Sequence, residues 1–534
     1  MNYWSPASCG LLGLGIVFLL IQLLLGKSRW PGSLQRARDF HHTHKAPVPR
    51  LGGVALAAAF LGIELFTYLF FKQARGATPG HAVVVLSSLA MFGLGFWDDL
   101  KPLGARYKLL GQLAIASAVY FCGLGIQSFK IPFTGNVIGL NVAGYFFTVF
   151  WLVGMTNLIN LIDGVDGLAG GICLMLMTLL AYVGHNCGSY ELLVAGMAGA
   201  LLGFLWFNFP PAKIYLGDGG AYFLGFQVGL FSLINYQKGP IIAALAAPLF
   251  VLALPIVDTS LAILRRGLRG LPLFRPDRNH LHHHLMASGM SRRRVVLSFY
   301  GVTLVFLAMG FAAFVSHGQL VPVLLGLAAL ILLGCAGKLR FSREWFSVGR
   351  VVGDSLGMRQ EVQYALSITR WLALEGERAG AIESLWQDFI FVARKLGFSQ
   401  VKLALADGEK VWEEAQCAES CRATRYELQA GRCGILTLEA PICQFKTEHG
   451  SGGKPWECRR PACPCIGDER LFQILAELLA EGWIKASSKF LADSRGPLSF
   501  LTIRPVNQSQ PEPPGKTSSL AEPAAASQFC TKTR

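Results

Sequence analysis

Residues 138–171 read IGLNVAGYFFTVFWLVGMTNLINLIDGVDGLAGG. About twenty mostly apolar residues come first, the length needed to cross a hydrocarbon core of about 30 Å. Asn157, Asn160, Asp163 and Asp166 then follow at three-residue intervals. On a helix that spacing keeps neighbouring side chains on one face, drifting slowly round it. Gly164 and Gly167 loosen the backbone where a ligand must approach closely. Asparagines bridging helices in lipid are the competing explanation. Four polar groups in register at a membrane edge favour a site.

Outward from this segment the same texture repeats. Apolar runs fall near 9–26, 51–71, 81–97, 109–128, 138–157, 167–184, 190–207, 219–236, 240–264, 295–315 and 319–337. The predicted fold is therefore an all-α polytopic membrane protein of about eleven transmembrane helices. Composition agrees. Of the 534 residues, 52% are hydrophobic and 15% charged, against about 25% charged in an ordinary soluble domain. A wholly soluble enzyme, a disordered chain and a fibrous repeat are excluded. The first run has no basic n-region and no small-residue cleavage site, so it reads as a retained helix rather than a signal peptide.

The net charge of +15 is bunched in a few loops. Arg36, Arg38, Lys45 and Arg50 follow the first run, Lys101, Arg106 and Lys108 the third, and a dense arginine set the ninth. The positive-inside rule puts the N-terminus outside and the loops after odd-numbered runs, with everything past Lys338, in the cytoplasm. No basic stripe alternates with aromatics, so membrane lipids rather than nucleic acid are the expected partners of this charge.

The first 337 residues hold ten acids, eight of them aspartates: Asp39, Asp98, Asp99, Asp163, Asp166, Asp218, Asp258 and Asp277. The expected topology puts all eight at the cytoplasmic face. Membrane-edge carboxylates are costly unless paired, hydrated or bound to a cation. Asp98 and Asp99 close an apolar run (GFWDDLKPLG), where the helix dipole opposes them. A divalent cation or the nearby Lys101 and Lys108 would compensate. Asp218 stands in a Gly-Asp-Gly-Gly turn within FNFPPAKIYLGDGGAYFLGF (207–226), placed to approach phosphate or metal, or to cap the next helix. Arg278, His280, His282 and His283 lie in RPDRNHLHHHLMASG (275–289), a cationic loop suited to a phosphate ester. Zinc is its rival ligand.

HKAPVPRLGG, GFWDD, NLINLIDGVDGLAGG, PAKIYLGDGGAYFLG, PIVDTSLAILRR and DRNHLHHHL occur in this order. Over residues 10–340 the chain resembles the polyprenyl-phosphate N-acetylhexosamine-1-phosphate transferases of glycosyltransferase family 4. The resemblance implies ten or eleven membrane helices around a cytoplasm-facing cleft in a bacterial inner membrane. It implies Mg²⁺-dependent transfer, with Mn²⁺ as a substitute, of a sugar 1-phosphate from a UDP-N-acetylhexosamine to undecaprenyl phosphate, releasing UMP. By position, Asp218 would bind Mg²⁺, and Asp98 and Asp99 would be metal ligands or a base. Lys108 would hold phosphate. Asn157, Asn160, Asp163 and Asp166 would line the nucleotide pocket and support the metal shell, with Asp163 counted among the catalytic residues, and Arg278, His280, His282 and His283 would bind the diphosphate or sugar. His282-His283-His284-Leu285-Met286 departs from the His-His-His-Phe-Glu of the peptidoglycan branch. UDP-GlcNAc is thus the favoured donor and UDP-MurNAc-pentapeptide the alternative. A transporter or sensor using the aspartates as an ion path is the rival of a different class.

Past residue 338 the pattern changes. Residues 339–360 read as a basic amphipathic linker on the inner leaflet, 361–504 as a small cytoplasmic α+β domain, and 505–534 as a Pro/Ser/Ala-rich disordered tail. Within the domain, helices are expected at 383–396 and 469–489 and strands at 401–406 and 434–439. Its Cys458, Cys463 and Cys465 (ECRRPACPC) suggest a zinc or iron–sulfur site, or simply unligated thiols. The domain would serve regulation or bind a cytoplasmic partner, and a homodimer is left open.

Overall fold

In the computed structural model, helices form on the apolar runs because lipid leaves backbone amides no partner outside the segment itself. The structure describes residues 4–26, 48–70, 79–130, 137–187, 190–238, 247–269, 281, 285–286, 289–316, 319–338, 348–405, 407–414, 421–428, 433–441 and 469–491. The first eight helices are α1 (Trp4–Gly26), α2 (Gly52–Phe70), α3 (Pro79–Leu100), α4 (Ala105–Phe121), α5 (Asn141–Ile162), α6 (Leu168–Cys187), α7 (Glu191–Asn208) and α8 (Gly217–Lys238). A short hairpin, β1 (Ser128–Lys130) and β2 (Val137–Gly139), separates α4 from α5. The helices Ala253–Arg269, Arg292–Val315 and Val321–Lys338 follow.

Seven helices among the described residues are long and apolar enough to cross a membrane: α1, α2, α3, α5, α6, α7 and Arg292–Val315. The chain is a multi-pass membrane protein by that measure, and seven of the eleven expected crossings meet it among the described residues. The other runs are shorter or more polar. With 17 residues, α4 spans about 25 Å, and it carries Arg106, Lys108 and Gln112. The helix Ala253–Arg269 is equally short and holds Asp258 and three arginines. Polar residues lower the hydropathy of α8, which holds Asp218, Gln227 and Asn235.

That polarity suits the position of α8. It packs against α2, α3, α5 and α6, and nearly every residue from Gly219 to Asn235 is buried. Its neighbours grip it by polar contacts as well. Trp151 Nε1 of α5 donates to Ser232 Oγ at 2.9 Å, and Asn235 Nδ2 donates to Leu180 O of α6 at 3.2 Å. Small residues let backbones meet elsewhere. Gly10 of α1 lies against Gly199 of α7 so closely that a Cβ at 199 would strike the Gly10 carbonyl, a small-residue crossing typical of membrane helices.

A second core forms from residues 358–491. Four antiparallel strands, β3 (Gln400–Leu405), β4 (Gly408–Glu413), β5 (Cys421–Glu427) and β6 (Ile435–Pro441), run in the order β4-β3-β6-β5. Val401 pairs with Leu438 and Leu403 with Leu436, and this face is buried beneath helices, as the two-residue alternation of a strand requires. The helices are Val348–Arg378, Ile382–Lys395 and Glu469–Phe490. The boundary expected at residue 361 instead falls inside the single helix Val348–Arg378. The disordered-tail reading and the Cys458, Cys463, Cys465 site lie outside the described residues. Trp483 is fully buried, its ring 4.8 Å from that of Phe389 and its Nε1 donating to Cys433 O at 3.1 Å. Trp483→Ala should cost about 3–5 kcal/mol. In the full-length protein, limited proteolysis should then cut between 348 and 491 faster while the membrane helices stay protected.

Candidate active site at the ends of the membrane helices

Five helix ends meet at one face of the bundle. The C-terminal end of α3 brings Asp98 and Asp99, the first turn of α4 brings Lys108, and the last turns of α5 bring Asn157 and Asn160. The loop to α6 holds Asp163 and Asp166, and the first turn of α8 holds Asp218. Side chains up to 120 residues apart in the chain are thus held together.

Asp218 is the hub. Asn160 Nδ2 donates to its Oδ1 at 3.2 Å, and Lys108 Nζ stands 3.5 Å from its Oδ2. The same ammonium makes a close ion pair with Asp98. Asp98 is fixed from the other side by the Leu103 N–H, which donates to Oδ1 at 2.7 Å. Two carboxylates from different helices therefore share one lysine, with both acids mostly out of solvent.

Asp99 plays a different part. The N–H groups of Asp218 and Gly219 donate to its two oxygens at 3.1 and 2.9 Å. The acid at the end of α3 thereby caps the first turn of α8, where free N–H groups and the positive end of the dipole favour an anion. Arg50 Nη1 lies 3.6 Å from Asp99 Oδ1. The dipole conflict expected for the Asp-Asp pair at the end of α3 is thus relieved by a second helix start, by Arg50 and by Lys108. Backbone geometry allows this approach only without side chains. Gly217 has φ +75°, and a Cβ there would stand 2.7 Å from Asp99 Oδ2. A Cβ on Gly95 would stand 2.5 Å from the Asp218 carbonyl oxygen.

The three-residue spacing of 157, 160, 163 and 166 does not continue as one helical face. Asn157 and Asn160 lie in α5, Asp163 is its C-cap, and Asp166 lies in a turn closed by Gly167 at φ +80°. The glycines interrupt the helix before the drift of the spacing matters. Asp166 Oδ2 accepts from the Ala212 N–H at 3.2 Å and lies 4.0 Å from Arg292 Nη1. It joins the α5–α6 turn to the α7–α8 loop. Asn157 does not contact Asp218 in this arrangement. Its amide pairs with Gln112 of α4, Nδ2 donating to Gln112 Oε1 at 2.6 Å.

Arg278, His280, His282 and His283 lie outside the described residues. Four participants escape a reading of the sequence. Arg50 reads only as an orientation charge, and Gln112 only as one more residue in an apolar run. Asn208 accepts from the Gly167 N–H at 2.9 Å and donates to Ile214 O at 2.8 Å, tying the two loops. Tyr300 donates to Gly167 O at 2.6 Å. Asn208 has a signal in retrospect, an amide at a helix end beside Pro210-Pro211.

Among the described residues no group of three or more His, Cys, Asp or Glu side chains forms a ready-made metal cage. The donors on hand are carboxylate oxygens. Since Asp99 already accepts from two amides, Asp98 and Asp218 are the acids best placed to turn toward a cation. A pair of hard oxygen ligands completed by substrate phosphates is how Mg²⁺ is commonly bound.

The profile of glycosyl transferase family 4 matches residues 81–236, the stretch that carries Asp98, Asp99, Lys108, Asn160 and Asp218. The probable undecaprenyl-phosphate N-acetylglucosaminyl 1-phosphate transferase of Bacillus subtilis is 36% identical over 265 residues, 49% of this chain and 72% of that protein. The decaprenyl-phosphate N-acetylglucosaminephosphotransferase of Mycobacterium tuberculosis is 32% identical over 327 residues, covering 56% and 80%. The phospho-N-acetylmuramoyl-pentapeptide-transferase of Listeria innocua is 32% identical over 282 residues, covering 49% and 83%.

Proposed function

The chain belongs to glycosyl transferase family 4, the polyprenyl-phosphate N-acetylhexosamine-1-phosphate transferases, and on that premise we propose that it moves N-acetylglucosamine 1-phosphate from UDP-GlcNAc to undecaprenyl phosphate at the cytoplasmic face. One observation carries the reading: Lys108 is shared by Asp98 and Asp218, with Asn160 fixing Asp218 from α5. Phosphoryl transfer asks little of a protein beyond alignment and charge neutralisation, and this set supplies both.

In the proposed reaction a lipid phosphate oxygen attacks the β-phosphorus of UDP-GlcNAc. The new P–O bond forms as the bond to the α-phosphate bridging oxygen breaks, and UMP leaves with that electron pair. The lipid phosphate is already anionic near neutral pH, so no side chain need remove a proton. Asp218 and Asp98 would hold Mg²⁺, which when bound neutralises the charge of the pyrophosphate. Lys108 would then turn from the carboxylates to a phosphate oxygen. Asp99 and Arg50 keep α8 in place, Asn160 orients Asp218, and Asp166 holds the loop at 210–212.

An ion path would string carboxylates through the depth of the bilayer. Here Asp98, Asp99, Asp163, Asp166 and Asp218 gather at helix ends on one side, which favours the transferase over a transporter. The peptidoglycan-type donor is the second reading, supported by the Listeria relative and opposed by Leu285-Met286 after the histidines. Membranes holding the protein, given undecaprenyl phosphate and a panel of UDP-N-acetyl sugars with and without Mg²⁺, should release UMP from UDP-GlcNAc and only with the metal. Release from UDP-MurNAc-pentapeptide alone would establish the alternative. Lys108→Ala should lower kcat by roughly a hundredfold with the protein still folded. Unaltered turnover would remove Lys108 from the mechanism.

A further inference from the structure

The helix α4 bears Lys108 yet buries few of its residues. Of its 17 residues only Gln112, Ala116 and Val119 are buried, two of them small and the third polar. With Leu113 and Ile115 only partly buried against the core, apolar packing alone does not fix such a helix, and in lipid it provides no hydrophobic drive between helices. A ladder of polar contacts with the antiparallel α5 does so instead. At the far end Tyr120 Oη donates to Asn141 O at 3.3 Å, and Ser117 Oγ and Tyr145 Oη lie 2.9 Å apart. Nearer the site comes the amide pair of Gln112 and Asn157. Last, Lys108 and Asn160 meet on the two oxygens of Asp218.

The Gln112–Asn157 rung is the most closely specified. Asn157 Nδ2 donates to Gln112 Oε1 at 2.6 Å and to Val153 O at 2.8 Å, which uses both of its N–H bonds. Gln112 Nε2 lies 3.5 Å from Asn157 Oδ1, closing the pair in the other direction. Gln112 is 1% exposed. Four residues along α4 from Gln112 is Lys108, and three along α5 from Asn157 is Asn160, so on each helix the site residue lies one turn from the amide and on the same side.

We propose that Gln112 is a positioning residue: paired with Asn157, its amide sets the spacing of α4 and α5 at which Lys108 and Asn160 meet on Asp218. This deepens, and rests on, the reading of that site as the centre of sugar-1-phosphate transfer. It also gives Asn157 a different employment from the nucleotide contact expected of it. An amide in this place does what an apolar residue would not, since it fixes both the distance and the rotation of the two helices.

The test uses the full-length protein in membranes and in detergent. Gln112→Met, nearly isosteric, and Asn157→Leu should each lower kcat about tenfold to a hundredfold, the scale of a misplacement near 1 Å, with donor KM within about twofold of its original value. The double variant should lose no more than the worse single one, because both remove the same contact. Spin labels attached through non-natural residues at the exposed positions Leu110 and Leu161 should give one narrow distance in the parent protein and a shifted or broadened one in each variant. Gln112→Ala serves as a second removal of the amide if the methionine variant does not fold. Unchanged kcat or unchanged spin-label distances in the Gln112 variants would overturn the proposal, as would additive losses in the double variant. So would a raised donor KM in Asn157→Leu alone, which would return Asn157 to the nucleotide. If the parent protein releases UMP from no donor, the reaction is misassigned, and the distance measurement still decides the role of the pair.

Discussion

Asp218→Asn is expected to lower turnover by at least about a hundredfold, the scale on which removing one well-placed electrostatic group acts, while the protein still folds. The asparagine keeps the size of the side chain and the backbone N–H that donates to Asp99. What it removes is the charge on which Lys108 and Asn160 converge, and with it one of the two acids positioned for a cation. Asn160 and Lys108, both donors, would then compete for the single oxygen of the amide. Because α8 remains capped, thermal unfolding in detergent should change little. Comparison with Asp99→Asn separates the two acids. That change turns an acceptor of two backbone N–H bonds into a group that presents N–H to one of them, so a loss of stability should accompany its loss of activity. Equal and small effects of both substitutions would contradict the assignment of distinct roles.

Gly95→Val should be comparably severe without removing a polar side chain. The α3 backbone at Gly95 lies against the carbonyl of Asp218, and even a Cβ would stand 2.5 Å from that oxygen. The neighbour is backbone and cannot rotate away. Relief requires α3 and α8 to separate, which carries Asp98 and Asp99 away from Asp218. A displacement near 1 Å costs on the order of a hundredfold in rate. Overpacking of this kind typically costs about 1–3 kcal/mol, so the valine variant should melt earlier as well as react more slowly. Gly93→Val offers the control, since nothing lies within 4 Å of a Cβ there. Wild-type activity in Gly95→Val would mean that the two helices do not need their present spacing.

Much of this architecture was legible in the chain because lipid imposes simple rules. The apolar runs marked the helices, and the choice of one residue type at one side marked the candidate site. Asp98, Asp99, Lys108, Asn160 and Asp218 stand in contact at the helix ends. What the sequence hid was the division of labour. Asp98 and Asp99 are adjacent and chemically identical, yet successive residues on a helix point about 100° apart, so one faces Lys108 and the other the start of α8. Only the packing of α3 on α8 decides which. Asn157 and Asn160 likewise share a spacing but not a partner, because Gln112 comes from another helix. Seven of the expected crossings are long and apolar enough among the described residues, and the other runs differ from them for a related reason. Runs such as 219–236 are apolar because they are buried in protein, and the polar residues among them answer to neighbouring helices rather than to lipid. In the second core, β3 and β6 announced themselves by alternation. The edge strands β4 and β5, with Lys410, Arg422 and Arg425 among their residues, did not.

The central claim is that these helix ends align a lipid phosphate with the β-phosphorus of a nucleotide sugar. Its most direct test follows that atom. With UDP-GlcNAc labelled with ³²P in the β position and undecaprenyl phosphate as acceptor, the label should pass into the lipid fraction and the nucleotide released should be unlabelled UMP. Label remaining in released UDP, with sugar alone on the lipid, or no transfer to the lipid at all, would contradict the account.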